Sequence, residues 1–395
     1  MPPLDPPRLN ERVLATEAPP IPAITARAAA YDGARGPLLN LSQAAPAHPP
    51  APGMLERLAA AAGDPAIAGY GPILGEPALR EAYAADLRDA GDTAARAANV
   101  VVTAGCNLAF ALAAGAVAGP GDAVLIPTPL YFNHAMTLRM AGVEPRPLPT
   151  RAADGFVPDP DAAARLLDHR VRAILLVTPN NPTGAVYPPG VIARFAELCR
   201  ARGIWLILDE TYRDLVLGRP HDLLAGAAWP DGLIHLTSFS KSFAIPGHRM
   251  GILAAPDAAI PEVAKLVDSL QICAGRPAQV ALAWGIPALR DWRAANRDRL
   301  AARAAAVRAA FGELPGWELL SLGAYFAYVR HPFAGEGAAR VAGRLAGEHG
   351  LITLPGTAFA GEEAHLRLSF ANLPEERLPE LVARLRGAAP LARAA

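Results

Sequence analysis

Four short polar segments of this chain carry side chains able to act on an amine or a carbonyl, and each follows an apolar run. They are Thr103-Ala-Gly105-Cys106-Asn107, Pro179-Asn-Asn181-Pro-Thr-Gly184, Asp209-Glu-Thr-Tyr212 and Ser238-Phe-Ser240-Lys241. Lys241 has Phe239 and Phe243 two residues to either side. Aromatic flanks after a buried run would strip water from an ammonium and lower its pKa, the condition for imine chemistry; the plain alternative is an exposed cation. Ser238, Ser240 and Arg249 make a donor set for a phosphate, with the arginine fork able to bind bidentately, although a lone arginine reads equally well as a surface ion pair. Asp209 closes the run Ile-Trp-Leu-Ile-Leu. It either caps the next turn or stands as a buried anion facing a ring nitrogen, a pair worth roughly 4 kcal/mol at 4 Å and an effective dielectric near 20. Such a pair would keep the ring protonated and make it an electron sink. Tyr212 could donate to a ring hydroxylate or be an ordinary half-buried tyrosine. Gly105-Cys106-Asn107 opens a helix whose first N–H groups could hold phosphate. By composition alone, 180–184 is a turn and Tyr131 a core aromatic.

The elements that must position these residues follow from periodicity. Continuous, often β-branched runs at 99–103, 123–127, 173–178, 204–209 and 233–238 suit strands buried on both faces. Helical patterns at 107–118, 132–141, 159–167 and 189–202 separate them, so the expected fold is α/β, a mostly parallel doubly wound sheet. In such sheets ligands bind beyond the carboxyl ends of the strands, where all four segments fall. After Gly251 the pattern changes to a helix at 261–271, a long helix through 281–310, strands at 325–330 and 365–370, and a helix at 337–349. This reads as a smaller α+β domain. The expected division is a proline-rich arm over 1–48 that joins the small domain, a large domain over 49–284 and a small domain over 285–395.

Bulk properties exclude several classes. The 395 residues carry 37 basic and 37 acidic side chains, which gives no electrostatic case for nucleic acid or an anionic membrane. No run approaches the length of a membrane span, and residues 1–9 lack the apolar stretch of a secretory signal. Three cysteines, 106, 199 and 273, make no disulfide framework and fit a reducing cytoplasm. No CxxC pair or spaced histidine pair predicts a metal.

Taken together, Asn181-Pro-Thr-Gly184, Asp209-Glu-Thr-Tyr212, Ser-Phe-Ser-Lys241 and Gly247-His-Arg249-Met-Gly251 resemble the class I/II aminotransferases, the aspartate aminotransferase superfamily of fold type I pyridoxal-phosphate enzymes. The resemblance runs from about Leu38 to about Leu385, with every motif in order. It implies a transaminase that moves an amino group between an L-amino acid and a 2-oxo acid, with pyridoxal 5'-phosphate held by Lys241 as a Schiff base. By the same resemblance Lys241 carries the proton, Asp209 pairs with the pyridine nitrogen, and Asn181 and Tyr212 bond the ring hydroxyl oxygen. Tyr131 stacks on the ring and His134 supports Asp209. Gly105, Cys106, Asn107, Ser238, Ser240 and Arg249 hold the phosphate, and Tyr70 of the partner subunit reaches it across a homodimer interface. Arg367, in His-Leu-Arg-Leu-Ser-Phe-Ala, clamps the substrate α-carboxylate, with Asn181 beside it.

Two departures stand out. Leu41-Ser-Gln-Ala-Ala45-Pro46 has alanine where the family has glycine, which leaves Ala45 an uncertain contact. Arg276 lies where dicarboxylate-specific members carry a second arginine, but Cys-Ala-Gly-Arg-Pro does not match, and the expected substrates are neutral or aromatic amino acids. Other readings are weaker. Ser238-Phe-Ser-Lys241 fits the SxxK of serine acyl-enzymes, yet the chain has no SDN or KTG. Gly69-Tyr-Gly-Pro-Ile-Leu-Gly75 has the wrong spacing and context for a dinucleotide loop. Within the family the alternative is a β-eliminating lyase acting on cysteine conjugates.

Overall fold

Seven strands form the central sheet of the computed structural model, which describes residues 7–389. Their spatial order is Val100–Thr103, Gly251–Ala254, Leu233–Ser238, Trp205–Asp209, Val171–Val177, Ala123–Thr128 and Glu144–Pro149. All neighbours run parallel except Gly251–Ala254, which is antiparallel to both of its partners. Because side chains alternate along a strand, both faces are apolar: Ile174, Leu176, Leu206 and Leu208 enter one core, while Ala173, Leu175, Val177 and Ile207 enter the other.

The predicted helices 132–141 and 189–202 are found with those bounds, as Phe132–Ala141 and Pro189–Arg202, and the strand 233–238 as Leu233–Ser238. Other bounds shift by one or two residues. Asn99, for instance, is not in the first strand but in a short turn before it, where its side chain bonds the Ala255 carbonyl at 3.0 Å. The expected long helix over 281–310 is two helices, Arg276–Ala288 and Arg290–Gly312. Pro287 has no N–H to continue the ladder, and Leu289 leaves helical geometry.

Three strands of four or more residues escaped the periodicity, as did the two-residue strands Leu39–Asn40, Leu351–Ile352 and Leu354–Pro355. Glu144–Pro149, Glu-Pro-Arg-Pro-Leu-Pro, pairs with one neighbour only, and an edge is where a strand tolerates proline. Gly251–Ala254 is short and antiparallel. Glu318–Gly323 edges a second, four-stranded antiparallel sheet with Phe326–Arg330, His365–Ser369 and Leu354–Pro355. Residues Leu39–Asn40 pair in parallel with Leu351–Ile352, and the Ser369 N–H donates to the Leu41 carbonyl at 2.8 Å. Among the described residues no helix is long and apolar enough to cross a membrane.

The loop after Val171–Val177 meets the second sheet backbone to backbone at Gly184 and Gly323. A Cβ on Gly184 would lie 2.5 Å from the Gly323 nitrogen, and Gly184 has φ +77°. Gly184→Ala is therefore expected to combine left-handed strain with a collision against an unyielding backbone, a loss of about 2 kcal/mol or more. Thermal melting of the variant should show a drop of several degrees; an unchanged midpoint would mean that the loop and the second sheet separate without cost.

Candidate active site

The carboxyl ends of the parallel strands put the four polar segments on one rim. Thr103 leads to Gly105 and the helix Cys106–Val117, and Val177 leads to the loop with Asn180 and Asn181. Asp209 ends its own strand, and Ser238 ends the strand before Lys241. The unpredicted antiparallel strand adds the fifth piece. Gly251 pairs with both Thr103 and Ser238, so Arg249, two residues earlier, emerges at the same rim. There its guanidinium covers Gly105: a Cβ at that glycine, φ +87°, would sit 2.3 Å from Arg249 Nη2. Ser238 Oγ accepts from the Ser240 N–H at 3.2 Å and caps the short helix Phe239–Ser242. Gly105 is the N-cap of its helix, so the first N–H groups, those of Cys106 and Asn107, have no side-chain cap. Uncapped N–H donors and one guanidinium thus gather at one point of the rim, a set of groups of the sort that receives phosphate.

Asp209 is 4% exposed, and its Oδ2 lies 3.3 Å from His134 Nε2. Its Oδ1 accepts from the Thr211 N–H at 2.9 Å. Burial alone would raise its pKa, but His134 and Thr211 outweigh it and hold the carboxyl below its usual range. His134 itself is wedged between Phe110, at 4.3 Å, and Tyr131, edge-on at 5.2 Å. Tyr212 is buried against Tyr325 and Phe326, and that burial pushes its phenol well above the ordinary value.

Lys241 Nζ donates to the Ala44 carbonyl and lies over the Tyr325 ring at 5.9 Å. Loss of hydration is the main cause that brings its pKa down to about 8, with Arg249 and Arg367 adding to it. The phenylalanines expected to do this face elsewhere. Phe239 stacks edge-on against Tyr83, and Phe243 lies under Arg293. Ala44, not Ala45, is the arm residue at the lysine; the Ala45 N–H goes to Asn372 Oδ1 at 2.9 Å.

Arg367 is 2% exposed, reaches Asn181 Oδ1 at 3.0 Å and the Ser42 carbonyl, and has no partner at Nε. Phe326 and Phe359 cover its faces at 4.9 and 4.8 Å. Burial lowers its pKa to about 10. Asn180, the neighbour of Asn181, closes the turn by accepting from the Thr183 N–H and hydroxyl at 3.1 and 2.8 Å, which leaves Asn181 free to face Arg367. Tyr70 is apart from these residues, 82% exposed on the loop before Pro77–Asp89.

The family described as Aminotransferase class I and II matches residues 36–385. The chain belongs to that family. It is an aminotransferase, and members of the family use pyridoxal phosphate. It is 30% identical over 387 residues to an aromatic aminotransferase of Arabidopsis thaliana, covering 96% of this chain and 95% of that one. An arginine–pyruvate transaminase of Pseudomonas aeruginosa is 32% identical over 329 residues, 80% of this chain and 81% of its own. The structure of the aspartate aminotransferase of Thermus thermophilus with maleate superposes with a TM-score of 0.88 at 27% identity, over 97% of this chain and all of that one. None of these transaminases supports the β-eliminating alternative.

Sequence reasoning passed over Glu210. It is fully buried beside Asp209, and its Oε2 meets Arg213 Nη1 at 3.2 Å, His221 Nε2 at 3.3 Å and His235 Nδ1 at 3.0 Å. Arg213 and Arg219 both continue to buried Asp92, at 2.7 and 3.1 Å, and Tyr83 Oη closes on His235 Nε2 at 2.8 Å. Burial would raise the Glu210 pKa, but Arg213, His221 and His235 together take it well below the usual carboxyl range. The only signal in the sequence was charge inside a strand-end motif; the partners lie up to 25 positions along the chain, and the network they join reaches back 127 positions to Tyr83. A depressed folded pKa means that this stabilisation is full above the unfolded carboxyl pKa and fades as pH falls through the folded value. Glu210→Gln should therefore lower the melting temperature most at neutral pH, by the equivalent of about 3 kcal/mol for a broken buried pair. The gap to wild type should narrow in acid. A gap independent of pH would rule out an ionised Glu210.

Proposed function

We propose that the rim binds pyridoxal 5'-phosphate and transfers the amino group of a neutral or aromatic L-amino acid to a 2-oxo acid. The observation that carries the cofactor assignment is a desolvated lysine with a pKa near 8 on the same rim as a buried, ionised Asp209 and the Arg249 guanidinium at the Gly105 helix start. Lys241 would hold the cofactor through Nζ. Asp209, supported by His134, would face the ring nitrogen, Asn181 and Tyr212 the ring hydroxyl oxygen, and Tyr131 the ring face. Gly105, Cys106, Asn107, Ser238, Ser240 and Arg249 would take the phosphate. When bound, the group supplies an electron sink for charge developing at the substrate Cα.

The remaining chemistry belongs to the protein. Lys241 Nζ, with its pKa near neutrality, can accept a proton and return it within one turnover. Arg367 offers a planar fork to the α-carboxylate, and its bare Nε is a donor waiting for an acceptor in a site walled by Phe326 and Phe359. A carboxylate there replaces the Ser42 carbonyl as the partner of the guanidinium.

The division of the chain into an arm, 1–48, a large domain, 49–284, and a small domain, 285–395, is part of this proposal. It is supported by the arm's pairing with Leu351–Ile352 and by the second sheet's separate core. We also propose a cytoplasmic homodimer. Exposed Tyr70, Ile73, Leu270 and Ile272 lie on two segments joined by the Gly71 N–H to Cys273 Sγ contact, an apolar patch suited to a second copy. Tyr70 of the partner subunit would then complete the phosphate site.

Preference for neutral or aromatic side chains rests on the state of Arg276. Its Nε is 2.6 Å from Glu76 Oε1, and its Nη1 donates to the Ala66 and Gly69 carbonyls, so its charge is already matched and its fork already in use. Close by the Arg367 walls, Phe359 packs on Phe132 at 5.6 Å, beside a hollow of about 360 Å³ where Leu130, Phe132, Met136 and Pro355 meet Arg139, itself paired with Glu17 at 3.2 Å. With Arg276 and Arg139 each committed to a glutamate, a substrate side-chain carboxylate would find no free cation here and would lose several kcal/mol of hydration.

Two experiments test this reading. Borohydride reduction of the holoenzyme followed by peptide mapping should leave the cofactor on Lys241, and a label on Lys265 would refute the assignment. A panel of aspartate, glutamate, phenylalanine, leucine and alanine should give a higher kcat/KM for phenylalanine and leucine than for aspartate by tenfold or more, in wild type and Arg276→Ala alike, the difference one such uncompensated charge would produce. A strong aspartate preference that collapses in Arg276→Ala would reverse the specificity.

A further inference from the structure

Beside Lys241, the arm, the helix Arg290–Gly312 and the segment following His365–Ser369 line a partly open cavity of about 50 Å³. Its polar lining is one-sided. His48, Asn296, Arg299 and Arg303 face it together with Lys241 and Tyr325, and no carboxylate does. Three nitrogens in this lining are buried without a hydrogen-bond partner: His48 Nε2, Asn296 Nδ2 and Arg303 Nε. Each is held in place. Asn296, 6% exposed, has its Oδ1 engaged by Arg299 Nη2, so the amide's NH₂ is its free end. Arg303 Nη1 donates to the Ala371 carbonyl at 3.2 Å, and the His48 ring packs edge-on against Trp292 at 5.6 Å. Arg299 and Arg303 are four residues apart on one helix, a spacing at which like charges repel. Among the described residues neither has a carboxylate within ion-pair distance in any of the salt bridges of the fold.

Bare buried donors and two guanidinium groups without a carboxylate in ion-pair contact, around a confined space, call for an acceptor carrying negative charge; Glu375 and Glu376 act on Arg303 only from a distance. We propose that this cavity binds one small monovalent anion, carboxylate- or halide-sized, held by Arg303, Asn296 and His48, with exposed Arg299 at its mouth. The size limits the occupant. A single water needs roughly 10–15 Å³ measured in this way, so a cavity of about 50 Å³ has room for one small anion with little hydration. The site is separate from the substrate carboxylate position, because Arg367 is not part of its wall. Burial, then Arg299 and Arg303, depress the His48 pKa, and a bound anion would offset the two arginine contributions. By joining the arm, the helix and the exit of the small sheet, a bound anion would fasten three segments that meet beside the lysine.

The test uses the holoenzyme at constant ionic strength, with bulky isethionate replaced stepwise by formate or chloride while the melting temperature is followed. The expected result is a saturable rise of a few degrees that persists in Arg367→Gln and is lost in Arg303→Gln. Asn296→Leu, which removes a donor and fills the space with carbon, should abolish the rise as well and serves if Arg303→Gln folds poorly. No saturable rise in wild type would mean that the cavity holds only water. A rise lost in Arg367→Gln but kept in Arg303→Gln and Asn296→Leu would place the anion in the substrate site. Either result overturns the proposal.

Discussion

Asp209 and Glu210 put two ionised carboxylates side by side in the interior, and much of the rim serves to keep both charged. Burying one carboxylate without partners would drive it to protonate, and two neighbours would repel as well. The strand geometry resolves this because consecutive side chains point to opposite faces. Asp209 turns toward His134 and the cleft, while Glu210 turns toward Arg213, His221 and His235. Each anion thus has its own set of partners, and the two sets do not compete.

The same arrangement ties the site together. His235 lies on the strand that leads to Lys241, and Arg213 follows Tyr212, so the partners of Glu210 sit beside residues that would touch cofactor. Asp92 and Tyr83 carry the network outward to the helix Pro77–Asp89 and the turn after it. On the cleft side the charge is positive instead. Arg249 and Arg367 add to the burial that lowers the Lys241 pKa, and a positive field of this kind suits the phosphate and carboxylate proposed as ligands. Lys241 owes its pKa of about 8 mainly to loss of hydration and only secondarily to this field, so the groups that would bind anions add to the tuning of the base.

Much of this was legible in the residues. The parallel strands announced themselves as apolar runs because both faces of the sheet are buried, and the polar residues that ended those runs had to meet at one rim. Lys241, Asp209 and Asn181 were found this way. Arg249 was legible as a donor, but the strand that delivers it was not, since four residues beginning with glycine carry too little pattern. Glu144–Pro149 was hidden for a different reason: its prolines deny a strand anywhere except at an edge, and edges are assigned by neighbours. The break between Ala288 and Arg290 was masked by alanine-rich helix-forming sequence on both sides of Pro287.

By itself, the sequence determined the element types, the order of the motifs and the chemical identity of the groups available, since these depend on local periodicity and side-chain type. Tertiary structure alone decided which groups set each other's properties. It put Tyr325, not the flanking phenylalanines, beneath Lys241, brought the Ala44 carbonyl rather than Ala45 to that amine, and matched Arg276 to Glu76. It also left Asn296, Arg303 and His48 facing a cavity with no acceptor. Hydration, charge and hydrogen bonding act through space over a few ångströms, and residues that close in the fold lie tens to hundreds of positions apart along the chain.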